Sequence, residues 1–261
     1  MADGTQNDPY IANTYDELVQ YCNNESETWV KVGSDIDIAD EYPNGDMPAL
    51  VIKNTWLDGN NKKVSNWYKT NGTIIQKYSS TTVSNLFIAN IYCVGSVAIK
   101  INNATPDNYH FADCKFSGLV PNNFTYSMDD WHAKNHYARC SFNLKGSCFA
   151  EGMYTTLYIK DCYIKWTGSG QVFGGLDPDR KVDSCYIEAN VPLGLYSDVV
   201  NSVADITSDG VVAFNGSSGG AKNIFNKTHC PNGTAGTGWI EVEDEHWLDT
   251  DWLAGQGFNA G

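Results

Sequence analysis

Apolar and polar positions follow a six-residue phrase that is written four times between residues 111 and 187. The copies are FADCKF (111–116), YARCSF (137–142), IKDCYI (159–164) and VDSCYI (182–187). Each reads apolar, any, polar, Cys, any, aromatic or aliphatic. Cys114, Cys140, Cys162 and Cys185 are 26, 22 and 23 residues apart (140 − 114, 162 − 140, 185 − 162). IANIYC (88–93) extends the series backward with Ile91 in the cysteine slot, 23 residues before Cys114 (114 − 91). IKNTWL (52–57) extends it once more with Thr55 in the slot, and the 36-residue step to Ile91 (91 − 55) implies an inserted loop.

The phrase carries its own geometry. The slot residue and the residue two places on face one side of a strand, because strand side chains alternate. The leading apolar residue stands three places before the slot, so only a bend between them brings it to the same side. Asn90, Asp113 and Asp161 sit just before the slot, and Asn and Asp tolerate the left-handed conformation that such a corner needs. Arg139 and Ser184 suit it less well. The spacing therefore predicts strand, corner, strand and a looser return. Units of this length that cannot bury their own apolar face must stack, which predicts an all-β solenoid with a coil period of about 23 residues, a single-stranded parallel β-helix. Ile91, Cys114, Cys140, Cys162 and Cys185 would form its inward core ladder.

On these residues, over about positions 52–191, the chain resembles the right-handed β-helix of the pectin-lyase-like superfamily. The resemblance implies polar ladders at the corners and like-with-like stacks inside. It implies little about function, since that scaffold carries lyases, glycosidases, adhesins and virion proteins alike.

Outside the phrase the pattern divides the chain into three parts. Residues 1–30 predict an arm and a capping helix: Thr14 and Glu17 form a capping box, and Tyr15, Leu18, Val19 and Cys22 recur at helical spacing. Residues 31–214 predict the β-helix, with loops at 58–72, 118–135 and 173–181. Residues 29–38 alternate as a strand, and the periodicity fades after Val191. Residues 215–261 predict a C-terminal cap or interaction segment, joined through NGSSGG and holding a helical turn capped by Asp249 or Thr250 and ending near Gly255.

Charge narrows the partners. With 17 basic and 31 acidic residues the net charge is −14, which argues against nucleic acid and anionic membranes and suits docking on a basic surface. No run of 18 apolar residues is present, so no membrane insertion is expected. The first ten residues lack the basic and apolar regions of a signal peptide, which predicts synthesis in a reducing cytosol and thiols in place of disulfides. No CxxC pair suggests zinc, and no metal or cofactor is expected. The cysteines read as core filler.

Candidate chemistry lies in two loops. Phe124, Tyr126, Trp131 and His132 accompany Asp129 and Asp130 in the first, and Asp177, Asp179 and Arg180 lie in the second. The four aspartates could serve as acid and base of a glycosidase or as a calcium site. The resemblance leads one to expect more: Gly-His-Gly and Arg-x-Lys in the polygalacturonase branch, or a calcium carboxylate cluster with a basic residue in the pectate lyase branch. The first pair is missing, and Arg180 with Lys181 only approximates the second. His132 and His136, four apart, would meet on a helix face but lack a third ligand. The expectation is a non-enzymatic protein resembling bacteriophage virion proteins of the capsid-decoration, head-fibre or tail-spike type. Such a subunit would be made in the host cytoplasm, assemble as a homotrimer, and dock on capsid or tail proteins. The alternatives are a carbohydrate-binding adhesin that stacks host glycan on Tyr126 and Trp131, and a polysaccharide depolymerase.

Overall fold

The four cysteine phrases pair copy to copy in one register. In a computed structural model, which describes residues 2–24, 26–52, 54–67, 75–77, 85–96, 99–101, 108–119, 123–127, 134–146, 148–150, 156–169, 171–173, 180–194, 198–208 and 223–255, each copy pairs with the next in parallel. Before the corner, Asn108–Ala112 pairs with Lys134–Ala138, followed by Thr156–Lys160, Arg180–Asp183 and Asp198–Val200. After the corner, Lys115–Leu119 pairs with Ser141–Gly146, followed by Tyr163–Gly168, Tyr186–Ala189 and Val203–Ile206. Toward the N-terminus both series meet the long strand Asn85–Ser96, which pairs with Thr55–Trp67. Among the described residues, seventeen strands form one sheet and five a second, the latter running through Leu50–Ile52, Ile75–Lys77, Ile99–Ile101, Asn123–Ser127 and Cys148–Ala150. The protein is mostly β, and among the described residues Tyr15–Cys22 is the one helix of seven residues or more.

A left-handed residue stands at every corner of the phrase. Asn90, Asp113, Arg139, Asp161 and Ser184 have φ between 52° and 55°. The unfavourable Arg139 has compensation: its guanidinium reaches the preceding corner's Asp113 with two bonds of 2.7 and 2.6 Å. That bidentate pair holds the Asp113 carboxyl below its usual range.

One apolar cluster joins both sheets, from Leu50 and Ile52 through Phe149 to Trp166. Like rings stack inside it: Phe111 on Tyr137 with centroids 4.7 Å apart, and Phe116 on Phe142 at 5.4 Å. The helix Tyr15–Cys22 starts as its capping box predicts, with the Thr14 side chain accepting from the Glu17 amide at 3.2 Å. It buries Tyr15, Leu18 and Cys22 in the same cluster. At the far end, the helix Thr250–Gly255 is capped by Asp249, which accepts the Trp252 amide at 3.0 Å. Leu253 packs there against Ile224 and Val242.

Several expectations need correction. The first copy of the phrase is out of phase, because Leu57 stands opposite Ile88 and Val64 opposite Cys93, whereas Thr55 turns its hydroxyl to the Cys22 carbonyl at 3.1 Å. Residues 58–67 are therefore not a loop but part of the strand Thr55–Trp67, widened by left-handed Asn60 and Asn61. Gly59 is needed here, since a Cβ would lie 2.4 Å from the Ile91 Cα. Residues 29–38 are not one strand: Thr28–Val32 and Ile36–Asp37 are separate, and Asp37 caps the short helix Ile38–Glu41. The region 118–135 contains the strand Asn123–Ser127 and the start of Lys134–Ala138, and Arg180 and Lys181 open a strand.

The fading periodicity after Val191 is also only apparent. The sheet continues through Val203–Ile206, Asn223–Phe225 and Trp239–Glu241. The copy VVNSVA (199–204) carries Ser202 in the slot and a left-handed Asn201, with φ 50°.

Candidate binding face

The corner breaks the strand hydrogen bonding and leaves the slot amide to find an acceptor. It finds one on the slot side chain of the next copy. The Cys140 N–H donates to the Cys162 Sγ at 3.3 Å, that of Cys185 to the Ser202 Oγ at 3.1 Å, and that of Ser202 to the Asn223 Oδ1 at 2.9 Å. In the other direction the thiols of Cys114, Cys140, Cys162 and Cys185 point to the carbonyls of Ile88, Phe111, Tyr137 and Ile159 at 3.5–3.7 Å. The slot therefore favours a small side chain that can both donate and accept, which Cys, Ser and Asn share and Val lacks. Filling the core is only half of the cysteines' role.

Bonding to Cys114 and Cys162 holds the Cys140 thiol well below the ordinary thiol range. Bonding to neighbouring thiols, together with burial, raises Cys114 and Cys162 well above the ordinary thiol range, and burial pushes Cys93 up to about 12. We expect Cys162→Val to cost about 1–3 kcal/mol by orphaning the Cys140 amide, and Cys162→Ser to cost less. Urea unfolding of the two variants checks this; a core-filling role alone would reverse their order.

Outward-facing side chains form a second column. The residue just before the leading apolar position is Trp29, Trp56, Phe87, His110, His136, Tyr158 and Lys181 in successive copies, all in register. Their rings stack: Trp29 on Trp56 at 5.9 Å and 5°, His110 on His136 at 4.8 Å and 16°, His136 on Tyr158 at 4.9 Å and 15°. Trp56 and Phe87 are 5.6 Å apart and tilted by 35°. His136 thus sits in a strand, not a helix, and meets His110, while its expected partner His132 lies outside the described residues. Partial burial holds the His110 pKa below its usual value.

A groove of about 420 Å³ runs beside the N-terminal end of this column. Trp29, Trp56 and Phe87 line one side, and Lys31, Asp58 and Ala89, which share one register column two places on, line the other beside Asn90. Asp58 is fixed by the Asn60 amide at 2.8 Å and the Asn90 side chain at 3.2 Å, while the Trp56 indole N–H donates to Glu27 at 3.1 Å.

Beyond the corner, the outward face gathers a polar network. Glu188 accepts from the Tyr163 hydroxyl at 2.6 Å and pairs with Lys165 at 2.5 Å. Asp205, directly opposite Glu188 in the register, accepts from the Tyr186 hydroxyl at 3.0 Å and lies 3.2 Å from the His229 ring. Lys165 and Tyr163 keep the Glu188 carboxyl below its usual range, and burial with the Glu188 bond pushes Tyr163 up to about 12.

Asp129, Asp130, Trp131 and His132 lie outside the described residues, as do Asp177 and Asp179. Phe124 and Tyr126 are on the strand Asn123–Ser127 of the smaller sheet, and Arg180 opens the strand Arg180–Asp183 opposite Leu157. Ile91 and the four ladder cysteines are at most 3% exposed. Among the described residues no group of three or more His, Cys, Asp or Glu is placed to hold a metal ion, and no helix is long and apolar enough to cross a membrane. No family model, curated protein or solved structure matches the chain.

Proposed function

We propose that the chain winds as a right-handed, single-stranded parallel β-helix and serves as a non-enzymatic structural virion protein of a bacteriophage, a capsid-decoration or head-fibre subunit. The supporting observation is the parallel pairing that runs from residue 28 to residue 241 past a row of left-handed corners. Parallel strands joined by crossovers favour the right-handed sense by a wide margin. Such a stack is a rigid rod, and the thiol ladder and the Glu188–Asp205 network within it are engaged in holding neighbouring copies together.

The chain's acidity, −14 overall, suits docking on a basic protein surface. Rods of this kind associate side by side around a threefold axis, so a homotrimer on the virion, built in the host cytoplasm, is the expected assembly. Light scattering of the native protein at neutral pH tests this: three times 28.8 kDa is expected. A monomer that also fails to co-sediment with capsids or tails would sink the proposal.

A further inference from the structure

We infer that the outward groove beside the ring column binds an uncharged linear oligosaccharide lying across successive strands. The column of Lys31, Asp58 and Ala89 continues in register through Ala112 and Ala138 to Lys160, so its alanines are the low part of the wall opposite the rings. This strip of small residues runs alongside Phe87, His110, His136 and Tyr158. The rings use their faces on one another, so they offer the groove their edges, where the positive rim of an aromatic ring attracts hydroxyl oxygens. On the opposite side, Asp58 and Asn90 supply fixed hydrogen-bonding groups, and Lys31 balances Asp58. A concavity of about 420 Å³ with an aromatic wall and a few anchored polar groups has the form of a small-ligand cleft.

Dimensions and charge select the occupant. The ring column spans five strand spacings of about 4.8 Å, or roughly 24 Å, and two outward columns of one strand are about 7 Å apart. The strip therefore offers on the order of 170 Å², about a fifth of what a stable protein partner buries on one side. An added peptide strand has no backbone to pair with, because these strands are bonded to neighbours on both sides. Nucleic acid is disfavoured by the chain's charge. A narrow, hydroxyl-rich chain whose units repeat on the scale of the strand spacing fits the strip. The site goes beyond the virion assignment and does not depend on it.

The test titrates the full chain with uncharged pentasaccharides of glucose, mannose and N-acetylglucosamine in their common linkages, at up to millimolar concentration. Tryptophan fluorescence and calorimetry report binding. At least one sugar is expected to bind and to be recovered intact. Ala89→Lys, which raises the low wall into the groove and leaves the rings in place, should weaken it about tenfold or more, as should Trp29→Ala. Ala89→Lys should unfold at the wild-type urea concentration; if it does not, Ala112→Lys takes its place. Binding that survives all these variants, or no binding to any sugar, overturns the site. Light scattering on the same samples keeps the two proposals apart, since loss of the trimer with sugar binding intact counts against the assembly alone. Cleavage of the sugar would count against the non-enzymatic assignment and leave the groove standing.

Discussion

Replacing Phe142 with alanine is expected to destabilise the protein by about 3–5 kcal/mol. Phe142 is fully buried, stacks on Phe116 at 5.4 Å, and meets Tyr137 and Phe149 edge-on at 5.5 and 5.0 Å. Phe149 belongs to the smaller sheet, so the one ring ties both sheets together. Its neighbours cannot collapse into the space it leaves, because each is pinned to its own register. A stack stabilised by nearest-neighbour contacts is most vulnerable to a gap in its middle. Urea unfolding followed by circular dichroism should show an earlier transition, broadened or split as the two halves lose coupling. A shift worth less than about 1 kcal/mol would mean that the ring stack contributes far less than its burial implies.

The second large effect belongs to the corner. Asp161→Pro is expected to cost about 3 kcal/mol or more, whereas Asp161→Gly should stay within about 1 kcal/mol of the parent. Asp161 has φ 53°, and its amide donates to the Asp183 carbonyl at 3.1 Å. Proline locks φ near −65° and has no N–H, so it opposes both. Glycine keeps the N–H and enters the left-handed region without strain. Thermal unfolding of the pair separates the contribution of the backbone from that of the carboxylate. Equal melting of the two variants would show that the left-handed corner does not hold the register.

The corner was legible in the sequence because its requirement is local. Asn and Asp enter the left-handed region at little cost, and their place before the slot predicted the bend at Asn90, Asp113 and Asp161. Arg139 and Ser184 adopt the same conformation against their preference because flanking strands, paired on both sides, impose it. The C-terminal copies were hidden by a change of residue and of step: Ser202 replaces cysteine, and only 17 residues separate it from Cys185 (202 − 185). Both residues meet the same hydrogen-bonding need, which composition alone does not display. The ring column was missed for a different reason. Its members differ in type and lie just outside the repeated phrase, although an aromatic or imidazole ring precedes the leading apolar residue in six copies from Trp29 to Tyr158. The polar network was invisible because Glu188, Asp205 and His229 meet only through pairing between copies. The loop aspartates stood out for the opposite reason, as pairs adjacent in sequence.

The unequal steps between slots have one more consequence. From Cys114 to Cys140 the chain takes 26 residues, and from Cys185 to Ser202 it takes 17, yet the strands on either side return to the same alignment. Strand spacing is set by hydrogen bonds, so chain length between strands is a free variable, and doubling a connection costs only about 0.6 kcal/mol of closure entropy. Each return is a place where the gene can lengthen or shorten without renegotiating the scaffold. Length changes in such a chain leave its spine in place, and a foreign epitope spliced into a return would be displayed at a height chosen by which copy received it.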